Sequence, residues 1–264
     1  MNLSWWQGLL LGLVQGFTEF LPISSSGHLV LAERFVGYHP QGLAFEVTVH
    51  IATLLSVLIA YAGRIGSLLK GLLRGGAAEW RYSGLLLLAS VPAGLVGFLG
   101  RDWFATWFHS TATLGWMFLV TAALLWSTRW SIARATDVEV TPLRALFIGL
   151  AQAVAIIPAI SRSGTTIVVA LWTRLAPVPA AEFSFLMSII AITGSGLLEA
   201  RHLGAGDAVV GPGLVTAFVA ALISGVVAIR FLVALLRTSR FHLFAPYVAL
   251  VGVFCLIWFN LLGR

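Results

Sequence analysis

Two apolar stretches, Leu3 to Phe35 and Leu143 to Leu175, are each interrupted midway by a polar segment, LPISSSGH from Leu21 to His28 and PAISRSGTT from Pro158 to Thr166. No other feature of the chain restricts its fold as much. Non-helical backbone at membrane depth leaves N–H and C=O groups that cost several kcal/mol each when unsatisfied, so it is tolerated only where protein buries it or where it lines a wet cavity. Each segment is therefore expected to face a cavity between helices and not lipid.

The membrane itself follows from composition. Of 264 residues 59% are hydrophobic and 10% charged, with a mean hydropathy of +0.97, far from the balance of a soluble domain. Six uninterrupted runs approach the length of about 20 residues that crosses a bilayer: Leu43 to Ala62, Tyr82 to Gly100, Thr111 to Trp126, Ala180 to Leu198, Gly213 to Val233 and Leu243 to Leu262. The fold class expected is an all-α polytopic membrane protein, one integral-membrane domain over 1–264, with six full transmembrane spans plus two broken re-entrant helical hairpins. The N-terminus MNLSWWQGLL lacks a basic n-region and an A-x-A-like cleavage site and is read as mature sequence. The single cysteine, Cys255, is expected to pack as a small hydrophobe. A net charge of +6 would suit nucleic acid, but the basic residues are scattered over loops with no aromatic-bearing polar domain, so membrane topology accounts for them and no nucleic acid is expected.

The two interrupted stretches align without gaps. One register pairs Gly12 with Gly149, Leu13 with Leu150, Gln15 with Gln152, Ile23 with Ile160, Ser24 with Ser161, Ser26 with Ser163 and Gly27 with Gly164. A shared Gln and a shared S-x-S-G in one register indicate an internal duplication, with one repeat over about 3–126 and the other over about 143–264. Each copy holds one broken hairpin and three spans. An odd number of crossings inserts the second copy upside down, so an inverted repeat is expected. Loop charge sets the orientation: Arg64, Lys70, Arg74 and Arg81, then Arg129, Arg134 and Arg144, then Arg174, Arg237 and Arg240 fall on one side, against Arg34, Arg101, Arg201 and Arg264 on the other. By the positive-inside rule the first group is cytoplasmic. The N-terminal hairpin then enters from outside, its counterpart from the cytoplasm, and the two breaks meet mid-membrane.

The polar residues that would converge there have a common chemistry. Gln15 and Glu19 lie four apart, on one helical face just before the first break. A carboxylate at mid-membrane costs about 2.5–3.5 kcal/mol on insertion scales and marks a functional position or a structural ion pair, here with Arg162. Arg162 cannot lose its charge, and its planar fork suits phosphate bidentately. Around it Ser161, Ser163, Thr165 and Thr166 add hydroxyls, and Gly164 is expected to open a short helix whose free N–H groups favour an anion. Ser24, Ser25, Ser26 and His28 supply candidate nucleophiles and a proton carrier. His50, with Glu46 one turn earlier, is a second histidine that the same cavity would accommodate. Carboxylate, serine, histidine and arginine together make a phosphoryl-transfer site, in which a serine, a histidine or water attacks.

These residues resemble the undecaprenyl-diphosphatase family, the integral-membrane bacitracin-resistance phosphatases, over nearly the whole chain. The resemblance rests on QGFTE with Gln15 and Glu19, on the following PISSSGH, and on PAISRSGTT. It implies removal of the terminal phosphate of undecaprenyl diphosphate, giving the monophosphate carrier of cell-wall synthesis, with a divalent cation, Mg or Ca, as cofactor. By position it implies Glu19, Ser25, His28 and Arg162 as catalytic, with Gln15, Ser24, Ser26, Ser161, Ser163 and Thr166 at the substrate and Glu19 on the metal. It places the chain in the bacterial plasma membrane as a multi-pass protein, its site open to the outer face, with membrane lipid and a polyprenyl diphosphate as partners and a homodimer as a compatible assembly. Two positions depart from the pattern: Gln15 stands where many relatives have a second acid, and Ala159 replaces the motif glycine. The rival readings are a transporter or flippase of polyprenyl phosphate, which the inverted repeat also suits, and the type 2 phosphatidic acid phosphatases, which lack support because no H-x-x-x-D follows Arg162.

Overall fold

The computed structural model describes residues 3–38, 43–100, 111–200 and 211–258. Among them are eleven α-helices: α1 (Trp5–Phe20), α2 (Ser25–Val36), α3 (Ala44–Ala60), α4 (Ala62–Leu73), α5 (Ala77–Leu99), α6 (Thr111–Ser131), α7 (Pro142–Val154), α8 (Arg162–Trp172), α9 (Pro177–Ala200), α10 (Pro212–Leu236) and α11 (Phe244–Ile257). The only β pairing among the described residues is an isolated bridge between Asp137 and Leu175. Three helices, α5, α9 and α10, are long and apolar enough to cross a bilayer alone. The run expected from Leu43 to Ala62 is helix α3, which turns by 74° at Tyr61 into α4. Arg101, Arg201 and Arg264, the Trp103 to Ser110 segment and the last residues of the final expected span lie outside the described residues.

Both interrupted stretches are helix–break–helix units. The first break spans 21–24, between α1 and α2, and the second 155–161, between α7 and α8. The aligned serines do the same job in each: the Ser24 hydroxyl accepts from Gly27 N at 3.5 Å and the Ser161 hydroxyl from Gly164 N at 3.0 Å, capping the second helix of each arm. The second arm's helix thus starts at Arg162, two residues before the expected Gly164, because the cap is Ser161.

Close helix contacts come from small residues. On α1, Gly8, Gly12 and Gly16 form a stripe at four-residue spacing that lies on α10; a Cβ at Gly12 would stand 2.3 Å from the Ala217 carbonyl oxygen. Gly149 on α7 likewise lies on Ala89 of α5, where a Cβ would come within 2.5 Å of the carbonyl oxygen. With no hydrophobic driving force between helices in lipid, such close backbone approach supplies the dispersion contact that holds them. Ser56 of α3 adds a hydrogen bond to the Leu222 carbonyl of α10 at 2.9 Å. The aromatic side chains Phe20, Phe118, Phe183 and Phe185 are fully buried, Phe20 edge-on to Phe185 at 5.7 Å. Elsewhere, large apolar side chains such as Leu87, Leu95 and Phe98 of α5, Ile223 of α10 and Leu250 of α11 are exposed, an apolar belt that only lipid would cover.

On the polar ends, ion pairs tie elements together. Arg64 of α4 donates to Glu182 of α9 at 2.8 Å and lies 4.9 Å from the ring centroid of Tyr82 on α5. Arg144 bonds Asp137, the Glu139 carbonyl at 2.6 Å and the Thr173 carbonyl at 3.0 Å, clipping the connection before α7 to the end of α8.

Candidate active site

The two breaks pack directly against each other. Ser163 donates its hydroxyl to the Leu21 carbonyl at 3.1 Å, and Ala159 N donates to the Ser26 hydroxyl at 3.4 Å. A Cβ on Gly164 would stand 3.2 Å from Pro22 Cβ, and one on Gly27 would stand 3.2 Å from Ala159 Cβ. The paired S-G dipeptides thus lie at the contact between the two tips, where an added Cβ would sit closer to the facing break than ordinary packing allows. Thr121 of α6 braces the second tip, donating to the Ala159 carbonyl at 3.1 Å and accepting from Ser161 N at 3.2 Å. Nothing in the sequence marks Thr121, which is one hydroxyl in an apolar run.

Glu19 stands at the centre. One carboxylate oxygen accepts from Arg162, across the two arms. The other accepts from the Ser25 hydroxyl at 2.6 Å and from the Gln15 amide at 3.1 Å. The carboxylate is thus held by three donors while only 8% of the residue is exposed, which answers the cost of a charge at this depth. The ion-pair reading of Glu19 is correct as geometry, and it does not exhaust either partner. Arg162 uses Nη2 on Glu19 while Nη1 is buried with no partner, and the nearby Thr165 hydroxyl on α8 is buried and unpartnered as well. Buried donors of this kind are rare in finished interiors and point to a ligand.

Of the other expected hydroxyls, Ser26 and Ser163 join the arms, and the rest bond within their own arm or to a neighbouring helix. Ser24 and Ser26 lie 3.3 Å apart, as do Ser161 and Ser163. Thr166 is fully buried on α8, donating to the Arg162 carbonyl at 2.8 Å and meeting Ser184 of α9 at 2.7 Å. Ser24 and Ser161 accept from backbone N–H groups and Ser163 and Thr166 donate to carbonyls, so hydroxyls satisfy part of the interrupted backbone.

His28 is brought to the site's edge and not to Glu19. Its Nδ1 lies 2.8 Å from the Ser24 carbonyl, an acceptor only, so Nδ1 carries the proton and Nε2 accepts from the Tyr247 hydroxyl at 2.9 Å. The ring stacks on Tyr247 and meets Phe118 edge-on. Tyr247, on the apolar helix α11, was not predictable from any motif. His50 is half-buried on α3. Gln152, the aligned partner of Gln15, is buried with neither amide atom bonded; its counterpart for Glu19 in the register is Ile156, so the second arm offers it no carboxylate.

For a divalent cation the residues form no protein cage. Among the described residues no group of three His, Cys, Asp or Glu side chains is placed to hold a metal ion. A hard cation prefers six or more oxygens, and Glu19 is the one carboxylate bonded into the paired breaks. The donor set fits an ion that arrives with most of its oxygen ligands already supplied by a diphosphate and water.

The family model described as bacitracin resistance protein BacA matches residues 8–254. The chain is 40% identical over 257 residues to an undecaprenyl-diphosphatase of Carboxydothermus hydrogenoformans, covering 95% of this chain and 96% of the relative. It is 39% identical over 270 residues to an undecaprenyl-diphosphatase of Alcanivorax borkumensis, covering 97% and 99%. A third undecaprenyl-diphosphatase, of Korarchaeum cryptofilum, is 40% identical over 258 residues, covering 94% and 96%.

Proposed function

The chain belongs to the bacitracin resistance protein BacA family, and from that membership we propose that it hydrolyses undecaprenyl diphosphate to undecaprenyl phosphate and inorganic phosphate. The observation that carries the chemistry is the Ser25–Glu19–Arg162 constellation: a hydroxyl donating to a carboxylate at 2.6 Å, and a guanidinium on the same carboxylate with one arm unspent. A nucleophile within hydrogen-bond reach of a base that a third group orients is the arrangement activated nucleophiles share.

In this reading Ser25 Oγ attacks the terminal phosphorus as its proton passes to Glu19 Oε2. The bond to the bridging oxygen breaks, and undecaprenyl phosphate leaves with the proton that Glu19 passes on to it. Water then attacks the phosphoserine as Glu19, again a carboxylate, accepts its proton and returns it to Ser25 Oγ when the bond to phosphorus breaks, and phosphate departs with Ser25 restored. Arg162 Nη1 and the Thr165 hydroxyl face the charge of the transferring group, in a site where fixed donors count for more than in water. Gln15 holds Glu19 in the orientation that receives the Ser25 proton. Ser24, Ser26, Ser161, Ser163 and Thr166 keep unused lone pairs and shape the substrate cradle from behind. His28 acts as a positioning residue, its Nδ1–H holding the Ser24 carbonyl that precedes Ser25. A divalent cation, Mg or Ca, when bound supplies charge neutralisation of the diphosphate, with Glu19 the carboxylate that would hold it.

We read the architecture behind this site as six spans and two re-entrant hairpins in an inverted repeat. Reciprocal packing supports it: the first helix of each repeat, α1 or α7, lies on the second span of the other, α10 or α5, while α3 meets α9 and α6 meets α11. The plasma membrane, with the site open to the outer face, completes the reading, and release of a carrier lipid for cell-wall synthesis is its role. The experiment is phosphate release by purified protein from a C55 or C15 prenyl diphosphate, with and without EDTA. Metal-dependent release establishes the hydrolase, and binding of the lipid with no release would leave the transporter reading in its place.

A further inference from the structure

A second site lies at the far end of the second broken arm. Helix α8 begins at Arg162 and ends at Trp172, a length of about 15 Å, and beyond its end a pocket of about 800 Å³ opens between α8 and the end of α6. Its walls include Trp130, Ser131, Arg134, Thr136, Trp172 and Arg174. No carboxylate lines it. Neither Arg134 nor Arg174 enters an ion pair among the described residues, and the nearby Asp137 is taken by Arg144. Two arginines without carboxylate partners border one cavity and give it a positive potential that favours an anion.

The remaining walls say which kind of anion. The Ser131 hydroxyl is buried there without a partner, an acceptor or donor held ready for a polar group. Trp130 and Trp172 are exposed, and neither swings freely: Trp172 Nε1 donates to the Ser127 hydroxyl at 3.0 Å, and Arg129 covers the Trp126 and Trp130 rings at 4.9 and 5.0 Å. Trp rings with a polar edge anchored and a flat face open are the usual residents of the headgroup level of a bilayer. The pocket thus combines cations and a hydroxyl with aromatic faces at the rim of an apolar helix bundle. A free inorganic anion would use the first set only; a phosphate carried on acyl chains uses both.

We propose that this pocket holds the phosphate headgroup of an anionic phospholipid from the surrounding leaflet, with Arg134, Arg174 and Ser131 on the phosphate and the acyl chains against Trp130 and Trp172. The site is separate from Glu19 and Ser25 and does not depend on the hydrolase reading. It grips the end of the helix that carries Arg162 at its other end, so a lipid bound there stiffens the second arm.

The test uses the full chain in nanodiscs carrying a photoactivatable phosphatidylglycerol or, in parallel, a photoactivatable phosphatidylcholine, with crosslinks mapped by mass spectrometry. Phosphatidylglycerol is expected to label the peptides containing residues 130–136 and 172–174 several-fold more than phosphatidylcholine. The double variant Arg134→Gln, Arg174→Gln should lower that affinity roughly 30-fold, at about a fivefold loss for each cation removed. Because neither arginine holds an ion pair, the variant should unfold at the wild-type temperature in discs of phosphatidylcholine alone. Added phosphatidylglycerol should then raise the unfolding temperature of the wild type and not of the variant. Equal labelling by the two lipids, undiminished labelling of the double variant, or displacement of the lipid by millimolar inorganic phosphate would each overturn the proposal.

Discussion

Arg162→Lys separates the two tasks assigned to one guanidinium. In the structure Nη2 is committed to Glu19 while Nη1 is buried and unpartnered. Lysine carries the same charge on a single ammonium, which will settle on the buried carboxylate, so the ion pair survives and the second arm is lost. If that arm binds the transferring phosphate, its removal forfeits one charge-assisted hydrogen bond, about 1.5–3 kcal/mol, and kcat falls roughly 10- to 150-fold. Stability should change little. Arg162→Ala makes the contrast, since it leaves Glu19, only 8% exposed, without its counter-charge, a loss of about 3–5 kcal/mol in comparable buried pairs. Phosphate release at saturating farnesyl diphosphate gives kcat, and thermal unfolding in the same detergent gives stability. An Arg162→Lys protein of wild-type unfolding temperature whose kcat stays within twofold would refute the assignment of Nη1 to the substrate. A lysine variant as unstable as the alanine variant would reduce Arg162 to a structural counter-ion.

Ser25→Ala removes the shortest bond to Glu19 Oε2 and should lower kcat by more than roughly 10³-fold if Ser25 is the nucleophile; turnover within tenfold of wild type, measured by phosphate release, would hand the attack to water. Cation binding followed by Mn²⁺ electron paramagnetic resonance should be weak in the free protein, rise with prenyl diphosphate, and lose that rise in Glu19→Gln; tight binding without lipid would contradict the one-carboxylate site. Gly27→Ala sets a Cβ 2.4 Å from the Phe118 ring and should destabilise by about 1–3 kcal/mol, whereas Ala159→Gly, at φ +64°, trades left-handed strain for lost methyl contact and chain entropy and should stay within about 1 kcal/mol; unfolding temperatures decide both. In a Cys255→Ala background, Arg74→Cys, exposed beside α4, should resist an impermeant thiol reagent in intact cells and react after permeabilisation, and labelling from outside would invert the topology.

The sequence by itself determined the class of environment and the location of the chemistry. Apolar runs, the two interruptions and the pairing of Ser24-x-Ser26-Gly27 with Ser161-x-Ser163-Gly164 are local properties of the chain, and the cost of unsatisfied backbone in hydrocarbon makes their consequence unavoidable. Gln15 and Glu19 share a helical face whatever the rest of the fold does. Only the tertiary structure decided what each polar side chain does. A serine motif does not reveal whether its hydroxyl will meet substrate or a neighbouring carbonyl; Ser163 turned to Leu21 and Thr166 to Ser184 because those partners lie on other elements. His28 reads as a proton carrier in isolation, and only the fold shows that both its nitrogens are bonded, since Tyr247 of α11, far away in sequence, packs onto its ring. Arg162 and Glu19 are 143 positions apart, and their meeting depends on which arms face each other, a non-local fact that periodicity cannot carry. The glycine stripe of α1 was present in the sequence as Gly8, Gly12 and Gly16, but only its partner α10 shows why a Cβ there is forbidden.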